Sequence, residues 1–395
     1  MSPSVAPRRL RVLAFVSKEV GISPGQRYRL EQWAPRLAAE HGIDVDFAPF
    51  ESPELTRLLY VHGRYVEKGG RVAAGFVRRV RDVLRARSYD GAIVYREVAL
   101  VGPEVYESAL SFLGIPFVLD FDDAIWIHRH SKANGAMARL RFVGKTAAIA
   151  RMSSAVTVGN EYLASFARRH ASSVHVVPTT IELDRYPVLP ESSVRDRLVV
   201  VWSGTVHTLA HFETARAALE KFAARHPLRV RVIADKPPER PIAGAENEFV
   251  RWSSEGEANA VGDSHVGIMP LPDDDYSRGK CGLKALQYMA TGRPVVVSPV
   301  GMNSDLVRDA ENGFLARDDE GWVHALERLA ASAELRATLG AEARRTVERG
   351  YSSVAASRVF ARVLRASFDP GAPTERESTR VRDVSRDFVD AGAPR

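Results

Sequence analysis

The chain has 395 residues, 45% of them hydrophobic and 26% charged, with 28 Gly and 22 Pro. These are the proportions of a soluble globular protein and exclude collagenous, disulfide-framework and wholly disordered classes; at about 150 residues per domain, two domains are the working number. One cysteine, Cys281, rules out an intrachain disulfide or a cysteine-based zinc site and favours a reducing compartment, while a net charge of +6 leaves nucleic acid, an anionic membrane surface and a phosphorylated small molecule open as partners.

Basic residues precede the apolar run at 10–16, but the run is short and no small-residue cleavage site follows, so it reads as a first strand and not as a signal peptide. No stretch approaches the length of a membrane span. Further strands are predicted at 44–47, 92–95, 117–120, 155–158 and 174–177, with helices at 26–40, 75–88, 103–113, 136–152 and 161–170. After a proline-punctuated connection at 186–190, a second series has strands at 198–202, 229–233, 249–252, 265–270 and 294–298. Its helices are predicted at 211–224, 255–261, 280–290, 303–310, 320–331, 334–349 and 352–367. This alternation predicts two doubly wound α/β halves, and no fixed-period repeat suggests a solenoid or propeller. The expected domains are 1–190 and 191–350, a helix at 351–368 packing back toward the first domain, and a disordered tail at 369–395, with a short amphipathic helix over 379–389 as the alternative.

In open parallel sheets, ligands bind beyond the carboxyl ends of the strands. After the fourth strand come Asp120, Asp122 and Asp123, three carboxylates in four residues. Helix capping or a turn explains one of them, and a ligand contact is expected of the group. An aspartate pair holding a metal-nucleotide, as in one class of single-domain sugar transferases, is the lesser alternative. After the first strand, Gly25, Arg27 and Arg29 open a helix behind a Pro-Gly turn, either as an anion site or as a solvated face. In the second half the same rule selects Gly204 and Thr205, Asp235, and Trp252. The run Arg278-Gly279-Lys280-Cys281-Gly282-Leu283-Lys284 combines glycines, which let backbone approach a ligand, with cations at a helix start, a combination suited to a diphosphate. Lys284 and Gln287 fall on nearby helical faces, with plain surface as the alternative. A P-loop is excluded by its missing spacing, and no Gly-x-Gly-x-x-Gly supports a dinucleotide oxidoreductase. The segment 71–88 reads as an amphipathic helix with Phe76, Val80, Val83 and Leu84 toward the first sheet. Its basic face, with Arg78, Arg79, Arg81 and Arg85, is either solvated or laid on anionic lipid. No nucleic-acid partner is expected; the expected location is the cytoplasm, at the inner face of the membrane where lipid is touched.

From Lys280 to Gly301 the sequence resembles retaining GT-B glycosyltransferases of the large family 4 type, whose E-x7-E segment ends in E-A-M-A-x-G-x-P-V-V. Thr157 to Asn160, Val176 to Pro178 and Asn312 to Leu315 support the resemblance. Gly279 and Gln287 stand where the motif carries its glutamates, and the family's Arg and Lys after the first strand of the second domain fall near Thr205 and His211, to which no role is carried. A branch of the family has D-x-D-D and G-K-C-x-x-K-x-x-Q-Y-M-A, as here. The resemblance implies two Rossmann-like domains facing a central cleft, a nucleotide-diphosphate sugar as donor and an unidentified acceptor: a glycan, a lipid-linked sugar or a metabolite. It implies no protein nucleophile, because the departing phosphate accepts the acceptor's proton, and neither cofactor nor metal is expected. Fixed positive charge must then meet the leaving diphosphate, for which Lys280, Arg278 and the backbone N–H groups of Gly279 to Gly282, Cys281 included, are the candidates. Asp122 is expected to orient a sugar hydroxyl or deprotonate the acceptor, Gln287 to bond the ribose, and Asp235 and Trp252 to line the base. The alternatives are a sugar-nucleotide epimerase or phosphorylase, told apart by acceptor dependence, and a homologue that binds nucleotide or glycan without turnover.

Overall fold

The structure, a computed structural model, describes residues 8–59, 61, 63–99, 102–127 and 144–369. Two compact units divide the chain: the second is Thr179–Ser353, and the first takes the residues before it together with the helix that follows it. Among the described residues no helix is long and apolar enough to cross a membrane.

In the first unit six parallel strands form one sheet in the order β2-β1-β3-β4-β5-β6: β1 (Leu10–Val16), β2 (Ile43–Pro49), β3 (Gly91–Tyr95), β4 (Phe117–Phe121), β5 (Ala155–Val158) and β6 (Val174–Val176). Every residue of β3, β4 and β5 is buried, as required of central parallel strands covered on both faces. The covering helices are α1 (Pro24–Gln26), α2 (Ala34–His41), α3 (Pro53–Leu59), α4 (Tyr65–Ala86), α5 (Val105–Phe112), α6 (Lys145–Met152) and α7 (Glu161–Ala167). The single helix predicted at 26–40 is interrupted by a π turn, Arg27–Glu31, whose wider winding brings Tyr28, Arg29 and Leu30 to the interior. The helix predicted from 75 begins at Tyr65, its first turns supported by ion pairs of Glu67 with Arg64 and Arg71. The predicted helix at 136–152 is described from Lys145 only, and the start of that range lies outside the described residues.

The second unit repeats the architecture in the order β12-β11-β10-β7-β8-β9, with β7 (Leu198–Ser203), β8 (Leu228–Ala234), β9 (Glu246–Arg251), β10 (Val266–Met269), β11 (Val295–Val297) and β12 (Gly313–Leu315). Counted within the unit this is the 3-2-1-4-5-6 order of nucleotide-binding sheets, whose switch point lies between β7 and β10. The third residue of β12 ends it, so it was too short for its periodicity to mark it as a strand. Its helices are α8 (Leu209–Glu213), α9 (Arg216–Ala223), α10 (Glu257–Gly262), α11 (Asp275–Arg278), α12 (Leu283–Ala290), α13 (Met302–Leu306), α14 (Asp319–Ala331) and α15 (Ala333–Gly350). The helix predicted at 211–224 is thus two, and that predicted at 303–310 ends at Leu306. Trp202 and Phe212, with ring centroids 5.5 Å apart, sit in a core shared by β7, β8, α9 and α14.

The last helix, α16 (Ser353–Phe368), belongs from Val354 onward to the first unit. Phe360 packs on Trp33 at 5.3 Å between centroids, the Phe368 ring lies on the bare backbone of Gly91, and Arg365 donates to the carbonyls of Arg8 and His41. The tail predicted beyond it falls, from residue 370, outside the described residues.

His265 gives the second unit a pH dependence. Its Nδ1 accepts the Val199 N–H at 3.0 Å and its Nε2 lies 3.2 Å from the Ser192 carbonyl, which fixes a neutral ring protonated at Nε2. Burial, joined by the charge of Arg336, holds its pKa below the ordinary histidine value. Below about pH 6.5 the unfolded chain therefore binds a proton that the folded chain refuses, and stability falls as pH falls through that range. Urea unfolding at pH 7 and below should show this decline, and His265→Gln should flatten it by about one proton. An unaltered slope would move the effect to another histidine, such as His175, which burial also holds low.

Candidate functional site

In the first unit the informative residues gather where β1, β3 and β4 end. Asp120, at the end of β4, receives Arg29 at both oxygens, Nη2 to Oδ1 at 2.6 Å and Nε to Oδ2 at 2.8 Å, together with the Thr157 hydroxyl at 2.6 Å. Arg29 Nη1 donates to the Val177 carbonyl at 2.6 Å, and both side chains of the pair are 0% exposed. Asp120, expected within a ligand-contact group, and Arg29, expected at an anion site or solvated face, are instead an internal clamp that joins the π turn to β4 and β5, and their charges are consumed by each other.

Asp122 lies one residue beyond the strand. Its Oδ1 accepts from Tyr95 Oη at 2.8 Å and from Arg96 Nε and Nη2 at 2.9 and 2.7 Å, and Arg96 Nη2 also reaches Asp123 at 2.8 Å. Gly25 has its backbone against this group: a Cβ there would fall 2.7 Å from Asp122 Oδ2 and closer still to the Tyr95 hydroxyl. So Gly25, Asp122 and Asp123 do come together. Arg27 turns instead onto the Tyr28 ring, 4.7 Å from its centroid. Burial pushes the Asp122 carboxyl up, but the Arg96 and Arg29 charges and the bonds from Arg96 and Tyr95 outweigh it, leaving its pKa below the usual carboxylate range. Arg96 occupies the left-handed region at φ 64, a strained setting for a non-glycine residue of the kind that collects at functional sites. Tyr95 and Arg96 were missed in the sequence, although the rule of looking just past each strand, applied to β3, selects Arg96.

In the second unit the ends of β7, β8 and β9 are linked by hydrogen bonds. Thr205 caps the short turn Val206–Thr208, and the Val206 N–H donates to Asp235 at 2.6 Å, so the loops after β7 and β8 are joined. Gly204 lies over the Trp202 ring with no room for a Cβ. The centre is Glu257, buried at 5% exposure: Oε1 accepts from Trp252 Nε1 at 2.8 Å and Ser203 Oγ at 3.2 Å, and Oε2 accepts from Tyr186 Oη at 2.9 Å. Gln287, itself buried, donates to the same Tyr186 oxygen at 2.8 Å. Neither Glu257 nor Tyr186 was selected from sequence, since one resembled a first-turn helix acid and the other part of a linker.

The run from 278 to 284 is not the start of one helix. Gly279 closes α11, and the N–H groups of Gly279 and Lys280 donate to the Tyr276 and Ser277 carbonyls at 3.1 and 3.0 Å. These two expected diphosphate donors are already engaged. Gly282, at φ 69, then turns the chain into α12, a left-handed conformation that glycine adopts without the strain any other residue would bring. Arg278 is answered by Asp273 at 2.8 Å and Asp275 at 3.3 Å. Lys280 Nζ lies 4.4 Å above the Tyr276 ring and 3.2 Å from its hydroxyl, and Lys284 Nζ lies 5.3 Å above Trp202. Cys281 is buried with Sγ 3.7 Å from the Gly279 carbonyl. Among the described residues no three His, Cys, Asp or Glu side chains form a metal-binding set.

Residues 197–332, within the second unit, match the family described as Glycosyl transferases group 1. No curated protein matches the chain in sequence. Among solved structures, a sucrose-phosphate synthase from Thermosynechococcus elongatus is 18% identical with a TM-score of 0.67, over 91% of this chain and 99% of that one. HepE from Anabaena, in complex with UDP, is 14% identical with a TM-score of 0.55, over 90% of this chain and 100% of that one. A glycosyltransferase from Rickettsia africae is 11% identical with a TM-score of 0.64, over 92% of this chain and 100% of that one. At these identities the likeness is one of fold: two parallel six-stranded α/β units, as in GT-B glycosyltransferases.

Proposed function

We propose that the chain transfers a sugar from a nucleotide-diphosphate sugar to an acceptor hydroxyl. One observation carries the reading: the segment matching the group 1 transferases holds Glu257 and Gln287, joined through Tyr186 just before it, with Lys280 and Lys284 at the carboxyl end of its sheet. A ribose edge finds hydrogen-bonding groups there, and a diphosphate finds cations and the positive end of α12. In the reaction the bond from the anomeric carbon to the phosphate oxygen breaks, a bond from that carbon to the acceptor oxygen forms, and the acceptor's proton passes to the departing phosphate. Charge grows on the leaving group, and Lys280 and Lys284 oppose it. If the proton goes to the departing phosphate on its own side of the sugar, configuration is retained and no protein nucleophile is needed. In the first unit, a carboxyl held as low as that of Asp122 is a poor base and a good fixed acceptor, so its role is to orient the incoming hydroxyl.

Thermal-shift measurements with UDP, GDP, ADP and TDP, followed by donor consumption with and without acceptors, test the reading. The expected result is a shift with one nucleotide and its release as diphosphate only when acceptor is present; no shift with any of them would sink it. Lys280→Ala should weaken the binding nucleotide about tenfold or more; equal affinity would mean that the diphosphate lies elsewhere. A second reading, binding without turnover, draws support from Arg278, whose charge is answered by two aspartates. It expects the shift and no release.

A further inference from the structure

Along α4 the residues Val66, Ala73, Val77, Val80 and Leu84 recur at spacings of seven, four, three and four, which lines them up in one row about 27 Å long. The row faces outward: Val66 is 92% exposed, Val77 70%, Val80 53% and Leu84 56%. This reverses part of the sequence expectation, since Val83 is buried as predicted but Val80 and Leu84 point away from the sheet. Arg79, expected on the outer face, is fully buried and donates to the carbonyls of Val16, Ala48 and Val98 at 2.6 to 2.7 Å. Helix α5 lies beside α4, with Tyr106 bonded to the Phe76 carbonyl at 2.8 Å, and adds Val105 at 60% exposure and Phe112 at 91%. Single exposed apolar residues are ordinary, but six on two neighbouring helices are a surface.

The charges beside this surface are predominantly basic, although Glu54, which pairs with Arg71, and Glu104, the cap residue of α5, stand near it. Helix α4 holds six basic and two acidic residues, and both acids are engaged, Glu67 with Arg64 and Arg71 and Asp82 with buried Arg79. Arg81 and Arg87 are exposed, and no carboxylate pairs with them among the described residues. We infer that the α4–α5 face docks on an anionic lipid bilayer, with the Val66–Leu84 row and Phe112 entering the headgroup boundary and the arginines meeting lipid phosphates. A second copy is disfavoured because apposed faces bring arginines together. Residues 370–395, with five acidic and five basic side chains, offer no complementary charge. The inference does not depend on sugar transfer and is tested without donor or acceptor.

The full chain is sedimented with vesicles of phosphatidylglycerol and phosphatidylcholine in equal parts, and with phosphatidylcholine alone. The expected result is partition onto the anionic vesicles, several-fold above the neutral ones, and its loss at about 0.5 M salt. V77S/L84S/F112S should reduce partition about tenfold or more, with an unchanged melting temperature, as should R81E/R87E at low salt. No partition onto anionic vesicles would overturn the proposal, as would equal partition onto neutral ones. So would wild-type partition by the apolar variant, or a wild-type dimer that this variant converts to monomer without any vesicle binding. Should either variant fail to fold, the wild-type lipid and salt comparisons decide alone.

Discussion

Asp120→Asn is expected to destabilise the first unit by about 3–5 kcal/mol, because it leaves Arg29 charged, buried and without its counterion. The pair is 0% exposed on both sides, so no water replaces the lost carboxylate. Thr157 loses a strong acceptor as well, and an asparagine amide turned toward Arg29 sets donor against donor. Arg29→Met should cost a similar amount by stranding the carboxylate. Combining Arg29→Met with Asp120→Leu should recover part of the loss, since apolar replacement of both partners removes the stranded charge. Denaturant unfolding followed through Trp33, which lies 5.4 Å under the Arg29 guanidinium, reports on this unit. With two units in the chain the first transition must be resolved separately from the second. A loss under about 1 kcal/mol would show that the clamp is replaceable surface chemistry.

Asp122→Asn should act on turnover and leave the fold intact. The amide oxygen keeps the Oδ1 position that receives Tyr95 and Arg96, while the negative charge, on which the proposed orientation of an incoming hydroxyl depends, is lost. A misplaced reactant costs about a hundredfold in rate, and that is the expected fall in kcat at saturating donor. Nucleotide affinity, which the proposed function assigns to the second unit, should not change. Because the carboxyl is held low, any acid limb due to Asp122 lies below the ordinary carboxylate range. Wild-type turnover in the variant would remove Asp122 from the reaction, and a parallel loss of nucleotide affinity would show a structural effect in its place.

The sheets were legible in the sequence because their strands are continuous apolar runs between turn residues, as at Leu10–Val16 and Leu198–Ser203. The fates of neighbouring polar residues were not. Asp120 and Asp122 are two apart, yet one lies inside a clamp and the other outside it, because β4 ends at Phe121 and strand alternation no longer applies beyond it. Arg79 and Arg81 differ in the same way: Arg79 is drawn inward by three strand-end carbonyls from Val16, Ala48 and Val98, and no local pattern announces partners so far apart in sequence. The 278–282 run looked like a helix start because its glycines and cations fit one. The Gly279 and Lys280 backbone donors there were already claimed by α11, four residues long and below the reach of periodicity.

The return of α16 to the first unit orders events during synthesis. Among the described residues the second unit is one unbroken stretch, reached in full when Ser353 has been added, whereas the first still lacks the aromatic side chains that cover Trp33 and Gly91. Phe360 and Phe368 are made nearly two hundred residues after the last strand of that unit's sheet, Val174–Val176. The half of the molecule that begins translation therefore finishes folding last, and a ribosome-bound chain cut short before the final helix would carry a finished second unit beside an open first one.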